Sequence, residues 1–386
     1  MNYDKMEIFS GPIKFNPNDG EHFYRILSND FIDNLKKVKT KTLINYEIIS
    51  QYSDTHFIVK TKRLPYQVKI QEVTKQYALQ TIKDLILDNI SCLEQSCIIS
   101  DIHEGNILYW WKDNKPLQTY YIDLDGIFEA TLNWCQIAYI RTVYLLYKYV
   151  IGMNIPNHDC LIADTIKNYS NDWYTTILDK DFTKKEIWLE ILDHVNSIKL
   201  EQNTTYAEWF DNYALIPEQE LATKPKIKPS IEILTEIANK NYTLLDIGCN
   251  KGYITSLLSH KYKYLAGIDI EEKCIEHAIK IHNQQNLIFS KVDIRLFSEP
   301  SVLPAIKRYQ SDVVVILALT HHLNTLKIDP IQSAKTIVNL ARKYIFIEDI
   351  ADIPSYHNTF KESGFKCVKE CESYPSDRKL TLWKRD

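Results

Sequence analysis

Glycine is scarce in this chain: nine of its 386 residues are glycine, and only three are methionine. Ahead of Asp101 the only glycines are Gly11 and Gly20, so the first hundred residues hold no glycine-rich cover for nucleotide phosphates. Eight cysteines stand at 92, 97, 135, 160, 249, 274, 367 and 371, and no two form a C-x-x-C pair. Several fall in apolar runs and read as buried, reduced thiols, which points to a cytoplasmic setting. A basic excess is missing too. The net charge of −4 and a pI near 6.3 argue against a protein living on nucleic-acid phosphates, and no nucleic-acid partner is expected. The start, MNYDKMEIFSG, lacks the basic and apolar regions of a secretory signal. The most apolar helical candidate, WCQIAYIRTVYLLYKYVIGM, is interrupted by Arg141 and Lys148. It reads as a core helix, and no membrane span is expected.

What is present is globular: 45% hydrophobic and 25% charged residues, in a chain long enough for two domains. No internal repeat or low-complexity tract occurs. The segment LIPEQELATKPKIKPS, 215–230, carries three prolines and mixed charge, and is the expected linker between domains at 1–214 and 231–386. Beyond it strand, turn and helix alternate: YTLLDIG, GYITSLLSHK, YLAGIDI, EEKCIEHAIKIHNQQ, LIFSKVDI, a helix near 301–309, DVVVILAL and DPIQSAKTIVNLAR. KYIFIEDI, FKCVKECES and KLTLWKR close the chain. Such alternation predicts an α/β domain with a parallel sheet, its last two strands forming an antiparallel pair at the edge. Upstream, 1–60 is mixed and polar, 61–130 contains the stretch SDIHEGNIL…YYIDLDG, and 131–210 is mostly helical.

LLDIGCNKGYITSLL places Asp246, Gly248 and Gly252 where a hydrophobic strand turns into a helix. Glycine belongs there because the backbone turns sharply and a ligand lies against it. A dinucleotide loop reads G-x-G-x-x-G, whereas this one reads D-x-G-x-x-x-G. A second acid is expected about 20 residues on, to take ribose hydroxyls, and Asp269 ends the next strand. The loop resembles motif I of class I S-adenosylmethionine-dependent methyltransferases, whose ligand carries an amino-acid end and no phosphate. The resemblance implies a seven-stranded Rossmann-like sheet and S-adenosylmethionine as cofactor. Its contacts would be Asp246, Gly248, Cys249, Asn250 and Gly252 in the loop. Asp269 and Ile270 would follow the second strand, and Asp293 and Ile294 the third, near the adenine. Asn250 stands where many members have glycine; asparagine tolerates left-handed backbone better than other residues with a side chain. ALTHHL follows the fourth strand, where methyl transfer would occur, so His321 and His322 are the candidate catalytic groups, as proton acceptors or substrate contacts. Glu348 and Asp349, at the tip of the fifth strand, are candidates for the substrate side or a helix cap.

SDIHEGNILYWWKDNKPLQTYYIDLDG, 100–126, resembles the D-x-H-x-x-N and I-D segments of the aminoglycoside-phosphotransferase branch of kinase-like folds. That resemblance implies an α+β kinase-like N-terminal domain, with Asp101 in the position of the base and Asn106 and Asp123 in those of magnesium ligands. Asp125 lies just beyond. Lys60 and Lys69 sit on strand-like runs, but nothing marks either as a phosphate lysine. The stretch reads as the shell of a kinase site, and Mg-ATP is not expected as a ligand. YWW at 109–111 offers rings that could stack on a sugar, with a core or interface role the other reading. Over most of its length, through EHFYRILSNDFIDNL, LLDIGCNKG, ALTHHL and the IFIED…RKLTLW tail, the chain resembles nodulation-type methyltransferases with a kinase-like N-terminal region. This implies methylation of oxygen on a glycan or small hydroxylated metabolite. A bifunctional kinase–methyltransferase and a tRNA methyltransferase are the alternatives; acceptor atom and oligomeric state are not legible.

Overall fold

The computed structural model describes residues 22–113, 115–153, 155, 177, 179–200, 227–298, 305–350, 353–373 and 378–386. The chain start, Cys160, most of the expected linker and the first part of the expected helix near 301–309 lie outside them. The chain divides into two compact units. One comprises Met1–Gln71, Lys75–Trp110 and Leu117–Glu201; the other comprises Glu72–Thr74, Trp111–Pro116 and Gln202–Asp386.

In the first unit β1 (His22–Ser28), β2 (Tyr46–Ser53) and β3 (His56–Lys62) form an antiparallel sheet in the order β1-β3-β2. Smaller sheets follow, β4 (Val68–Lys69) with β6 (Ile107–Lys112) and β7 (Lys115–Tyr121), whose joined ends Trp111–Pro116 are counted with the second unit, and β5 (Cys97–Ile99) with β8 (Ile127–Glu129). The helix Lys75–Leu93 is buried on nearly every side and carries Asp88 and Asn89 into the interior. Buried polar groups are tolerable only when bonded, and these are. Asp88 accepts the amides of Lys41 (2.7 Å) and Thr42 (2.8 Å). Asn89 exchanges bonds with the backbone of Ile99, 3.3 and 2.9 Å, which fixes the strand from which the 100–106 loop departs. The expected core helix runs Leu132–Leu145 and then widens into a π-helical stretch, Leu146–Ile151, ended by Gly152 at φ 89°. A further helix spans Lys185–Ser197. Tyr109, Trp110 and Trp111 are all buried, which is the core reading of YWW.

The second unit opens with the helix Ile227–Glu236 and is built on a seven-stranded sheet. Its strands are β9 (Thr243–Ile247), β10 (Tyr264–Asp269), β11 (Leu287–Lys291), β12 (Ser311–Ile316), β13 (Ala341–Asp349), β14 (Phe365–Glu372) and β15 (Lys379–Arg385). Their order is β11-β10-β9-β12-β13-β15-β14. The first five are mutually parallel, and β15 inserts antiparallel between β13 and the edge strand β14. Parallel strands covered on both faces need continuous apolar runs, and all six residues of β12 are buried. This is the Rossmann-like α/β sheet expected from the alternation, antiparallel closing pair included.

Two details differ from expectation. The helix after the glycine loop is short, Tyr253–Leu257, because Ser259 and Lys261 bond three residues back (3.1 and 2.9 Å) and tighten the chain out of the α-helix. Cys367 is exposed and Cys371 only half-buried, since β14 is an edge strand whose outer face meets solvent. Among the described residues no helix is long and apolar enough to cross a membrane.

Candidate functional site

Strand order reverses between β9 and β12, and in open α/β sheets ligands bind outside the carboxyl ends of strands at such a switch point. Asp246, Asp269 and the loops bearing Asp293, His321 and His322 all lie at those carboxyl ends.

The β9 loop holds three residues in left-handed backbone: Gly248 at φ 75°, Asn250 at φ 50° and Gly252 at φ 72°. Asn250 thus adopts the conformation its side chain tolerates, and its Oδ1 accepts the Lys251 amide at 2.8 Å. A Cβ on Gly252 would meet the Phe289 ring at 2.2 Å, so only glycine passes there. The amides of Gly248 and Cys249 both donate to the Ile268 carbonyl, 2.8 and 3.0 Å. The Asn250 amide donates to Asp269 Oδ2 at 2.8 Å, while Asp269 Oδ1 accepts from Glu271 at 2.9 Å. On the far side of the loop His282 Nε2 donates to the Lys251 carbonyl at 2.9 Å.

Five successive loop amides, from Gly248 to Gly252, are therefore already bonded within the domain. The loop is not a cradle of free N–H groups for a phosphate, the device of nucleotide-binding loops. What it presents instead are carboxylates. Asp246, 4% exposed, accepts the Thr255 hydroxyl at 2.7 Å. Burial pushes its carboxyl up to about 7 against that bond, with the Asp269 charge adding to the rise. Burial also raises Asp269, against the amides of Glu271 and Asn250. Asp293 behaves oppositely. Burial works to raise it, but bonds from the Arg295 side chain (3.0 and 2.8 Å) and amide (2.9 Å) outweigh burial and hold it low. Ile270 directly follows β10, and Ile294 stands three residues beyond the end of β11.

His321 and His322 ride on a six-residue helix, Thr320–Thr325, with ring centroids 3.9 Å apart. Burial lowers the His322 pKa, which leaves a neutral imidazole at physiological pH. The loop delivering them bends at Ala318, φ 51°. Its amide donates to Glu348 Oε2 at 2.9 Å, and fully buried Glu348 also accepts the Ser373 hydroxyl at 3.0 Å. Glu348 thus binds the backbone of the histidine loop. Asp349 bonds His357 Nε2 and the Thr381 hydroxyl, both at 3.2 Å. Sequence reasoning missed His282 and Phe289 as supports of the loop. A signal for Phe289 existed in Gly267, a glycine inside a strand and a mark of close approach, whose Cβ would meet Phe289 at 2.7 Å.

In the first unit the three expected residues do come together. Asn106 Nδ2 donates to Asp101 Oδ2 (3.1 Å) and Asp123 Oδ2 (3.0 Å). Arg25 on β1 reaches Asp123 at 2.9 Å and Asp125 at 3.2 Å, and Arg141 pairs with Asp101. Burial and the neighbouring Asp125 raise the Asp123 pKa, with Arg25 pulling the other way. Lys60 faces Glu47 at 3.7 Å on the neighbouring strand β2, and Lys69 ends β4. Arg25 and Arg141 went unrecognised in the sequence, since neither belongs to a motif.

Residues 245–343 match the family model described as a methyltransferase domain. The second unit therefore carries a class I S-adenosylmethionine-dependent methyltransferase domain, and the chain is an enzyme of that activity. Several solved structures resemble part of it. The N-methyltransferase NodS from Bradyrhizobium japonicum WM9, solved with S-adenosyl-L-homocysteine, is 15% identical over 41% of this chain and 84% of its own, with a TM-score of 0.33. A TehB-like S-adenosylmethionine-dependent methyltransferase from Corynebacterium glutamicum is 15% identical over 47% and 100%, TM-score 0.37. Magnesium protoporphyrin IX methyltransferase from Synechocystis, with bound S-adenosylmethionine, is 13% identical over 61% and 100%, TM-score 0.33. No curated protein matches the chain.

Proposed function

We propose that the second unit holds S-adenosylmethionine against the β9 loop, with its methyl directed to an oxygen acceptor on a glycan or small hydroxylated metabolite. The first unit would then be a kinase-like domain without catalysis of its own. The observation that carries this reading is the loop itself. Its amides are bonded internally, to Ile268 and Asp269 among others, while Asp246 and Asp269 stand at the carboxyl ends of β9 and β10. That chemistry suits a ligand with hydroxyls and an ammonium group, and does not suit a phosphate.

Asp269 would accept from ribose hydroxyls while keeping its amide bonds, since a carboxylate has about four lone-pair sites. Asp293, held ionised by Arg295, and Ile294 would border the adenine; Gly248, Cys249, Asn250, Gly252 and Ile270 would line the rest. The sulfonium supplies an already activated methyl, so the protein's work is alignment of the acceptor. One of His321 and His322 would take the hydroxyl proton as oxygen attacks. His322, whose pKa burial holds below the ordinary histidine value, suits that proton acceptance.

The test is methyl transfer from labelled S-adenosylmethionine to fractionated glycan and metabolite pools, by wild type and His322→Asn. Label reaching a hydroxylated acceptor, and falling in the variant, supports the reading. Label found only on amines or on RNA would replace it.

A further inference from the structure

Four carboxylates cluster in the first unit, on the 100–106 loop and just beyond β7, and each has a cation of the chain laid on it. Arg25 spans about a hundred positions to Asp123 and Asp125. Arg141, on the helix Leu132–Leu145, pairs with Asp101 and donates to the Ser100 carbonyl at 3.2 Å. Lys148, in the π-helical stretch, reaches Glu104 at 3.4 Å, and the Tyr144 hydroxyl donates to the same carboxylate at 3.3 Å. Residues 141, 144 and 148 follow the spacing of one helical face, so one face closes the loop from its side.

Magnesium takes oxygen donors at about 2.0–2.1 Å in near-octahedral order. The donor set here does not fit it. Asp123 gives one oxygen to Arg25 and the other to Asn106, and Asp101 gives one to Arg141 and the other to Asn106. Asn106 turns its N–H groups, not its carbonyl, toward both carboxylates. Among the described residues no group of three or more His, Cys, Asp or Glu is placed to hold a metal ion. Arg25 is itself buried, its side chain 9% exposed, and a guanidinium stays charged at every physiological pH.

We propose that Arg25 is the resident cation of this cluster: its guanidinium lies on Asp123, a carboxylate that a phosphotransferase would give to a divalent metal, and on the neighbouring Asp125, so the unit takes up neither metal nor metal–nucleotide. The inference rests on the kinase-like reading of the unit and supplies the physical reason that its site is closed. It carries a gain-of-function consequence. Exchanging the guanidinium for a neutral side chain of similar reach leaves Asp123 and Asp125 facing each other without a cation, a pair of hard oxygen ligands that a divalent ion would fill.

The experiment is a manganese(II) titration of the full chain, followed by the paramagnetic resonance of the free ion, with S-adenosylhomocysteine calorimetry on the same samples. Wild type is expected to bind no manganese in the micromolar range. Arg25→Gln is expected to bind at least about tenfold more tightly than wild type, and Arg25→Gln/Asp123→Asn to lose that gain. Manganese or Mg-ATP binding by wild type, removed by Asp123→Asn, overturns the proposal. So does an Arg25→Gln chain that retains wild-type circular dichroism and gains no manganese. Should the glutamine variant not fold, Arg25→Met keeps the apolar stem and serves the same arm. Loss of homocysteine-compound binding in wild type would count against the methyltransferase site and not against Arg25.

Discussion

Gly252→Ala is the perturbation whose cost follows most directly from geometry. Two penalties act at this position. The backbone is left-handed, φ 72°, a conformation that costs a residue with a side chain about 1–2 kcal/mol. The new Cβ would also lie 2.2 Å from two atoms of the Phe289 ring. That ring is 2% exposed and abuts Gly267 on β10, so it has no free direction in which to yield. Overpacking of this kind costs about 1–3 kcal/mol. Together the loop is displaced or strained by about 2–5 kcal/mol. If ligand binding must restore its shape, S-adenosylhomocysteine affinity falls by about one and a half to three and a half powers of ten, at about 1.4 kcal/mol per tenfold. Calorimetric titration reads this directly. Gly252→Ala/Phe289→Leu should recover the contact share, about tenfold or more, while the backbone share stays lost. An alanine variant that binds as wild type, or a double variant no better than the single, would refute the reasoning.

Other outcomes follow from the same site. The fold raises the Asp246 carboxyl to about 7, so its contribution to stability is fully present below its ordinary value of 3.8 and is lost as pH rises through about 7. Calorimetric unfolding of the unliganded chain should therefore occur at lower temperature at pH 8 than at pH 5.5, with Asp246→Asn flattening that difference. Glu348→Ala removes the acceptor of the Ala318 amide, a loss of about 1–3 kcal/mol. It should lower kcat about tenfold or more in a methyl-transfer assay and change cofactor affinity little; Glu348→Gln, which keeps an acceptor, should recover part. His322→Ala should reduce transfer to a hydroxyl acceptor by about 10²–10⁴-fold and abolish the acidic limb of the pH–rate profile, with homocysteine-compound binding unchanged.

Much of the second unit could be read in the sequence because its signals are local. Asp246, Gly248 and Gly252 sit at one strand–helix junction, Asp269 ends the next strand, and apolar runs bounded by turns mark each buried strand. Asn250 was legible for the same reason, as the one residue besides glycine suited to the turn. What escaped was tertiary. Ala318 carries no mark of positive φ, and its stability there depends on a carboxylate 30 positions later. His282 supports the loop through a backbone carbonyl that any residue supplies. In the first unit the acids were visible as a spaced set, but Arg25 and Arg141 were not, because ion pairs 98 and 40 positions apart leave no pattern in a single sequence. The open question in that stretch was whether its carboxylates serve a metal, and their partners bear on it more than their own spacing does.

The measurement that bears most directly on the central claim is calorimetric titration of the full chain with S-adenosylhomocysteine, in wild type and in Asp269→Ala. The account predicts one site per chain in wild type and an affinity loss of at least about tenfold in the variant. No binding by the folded wild-type chain, or equal binding with Asp269 removed, would contradict it.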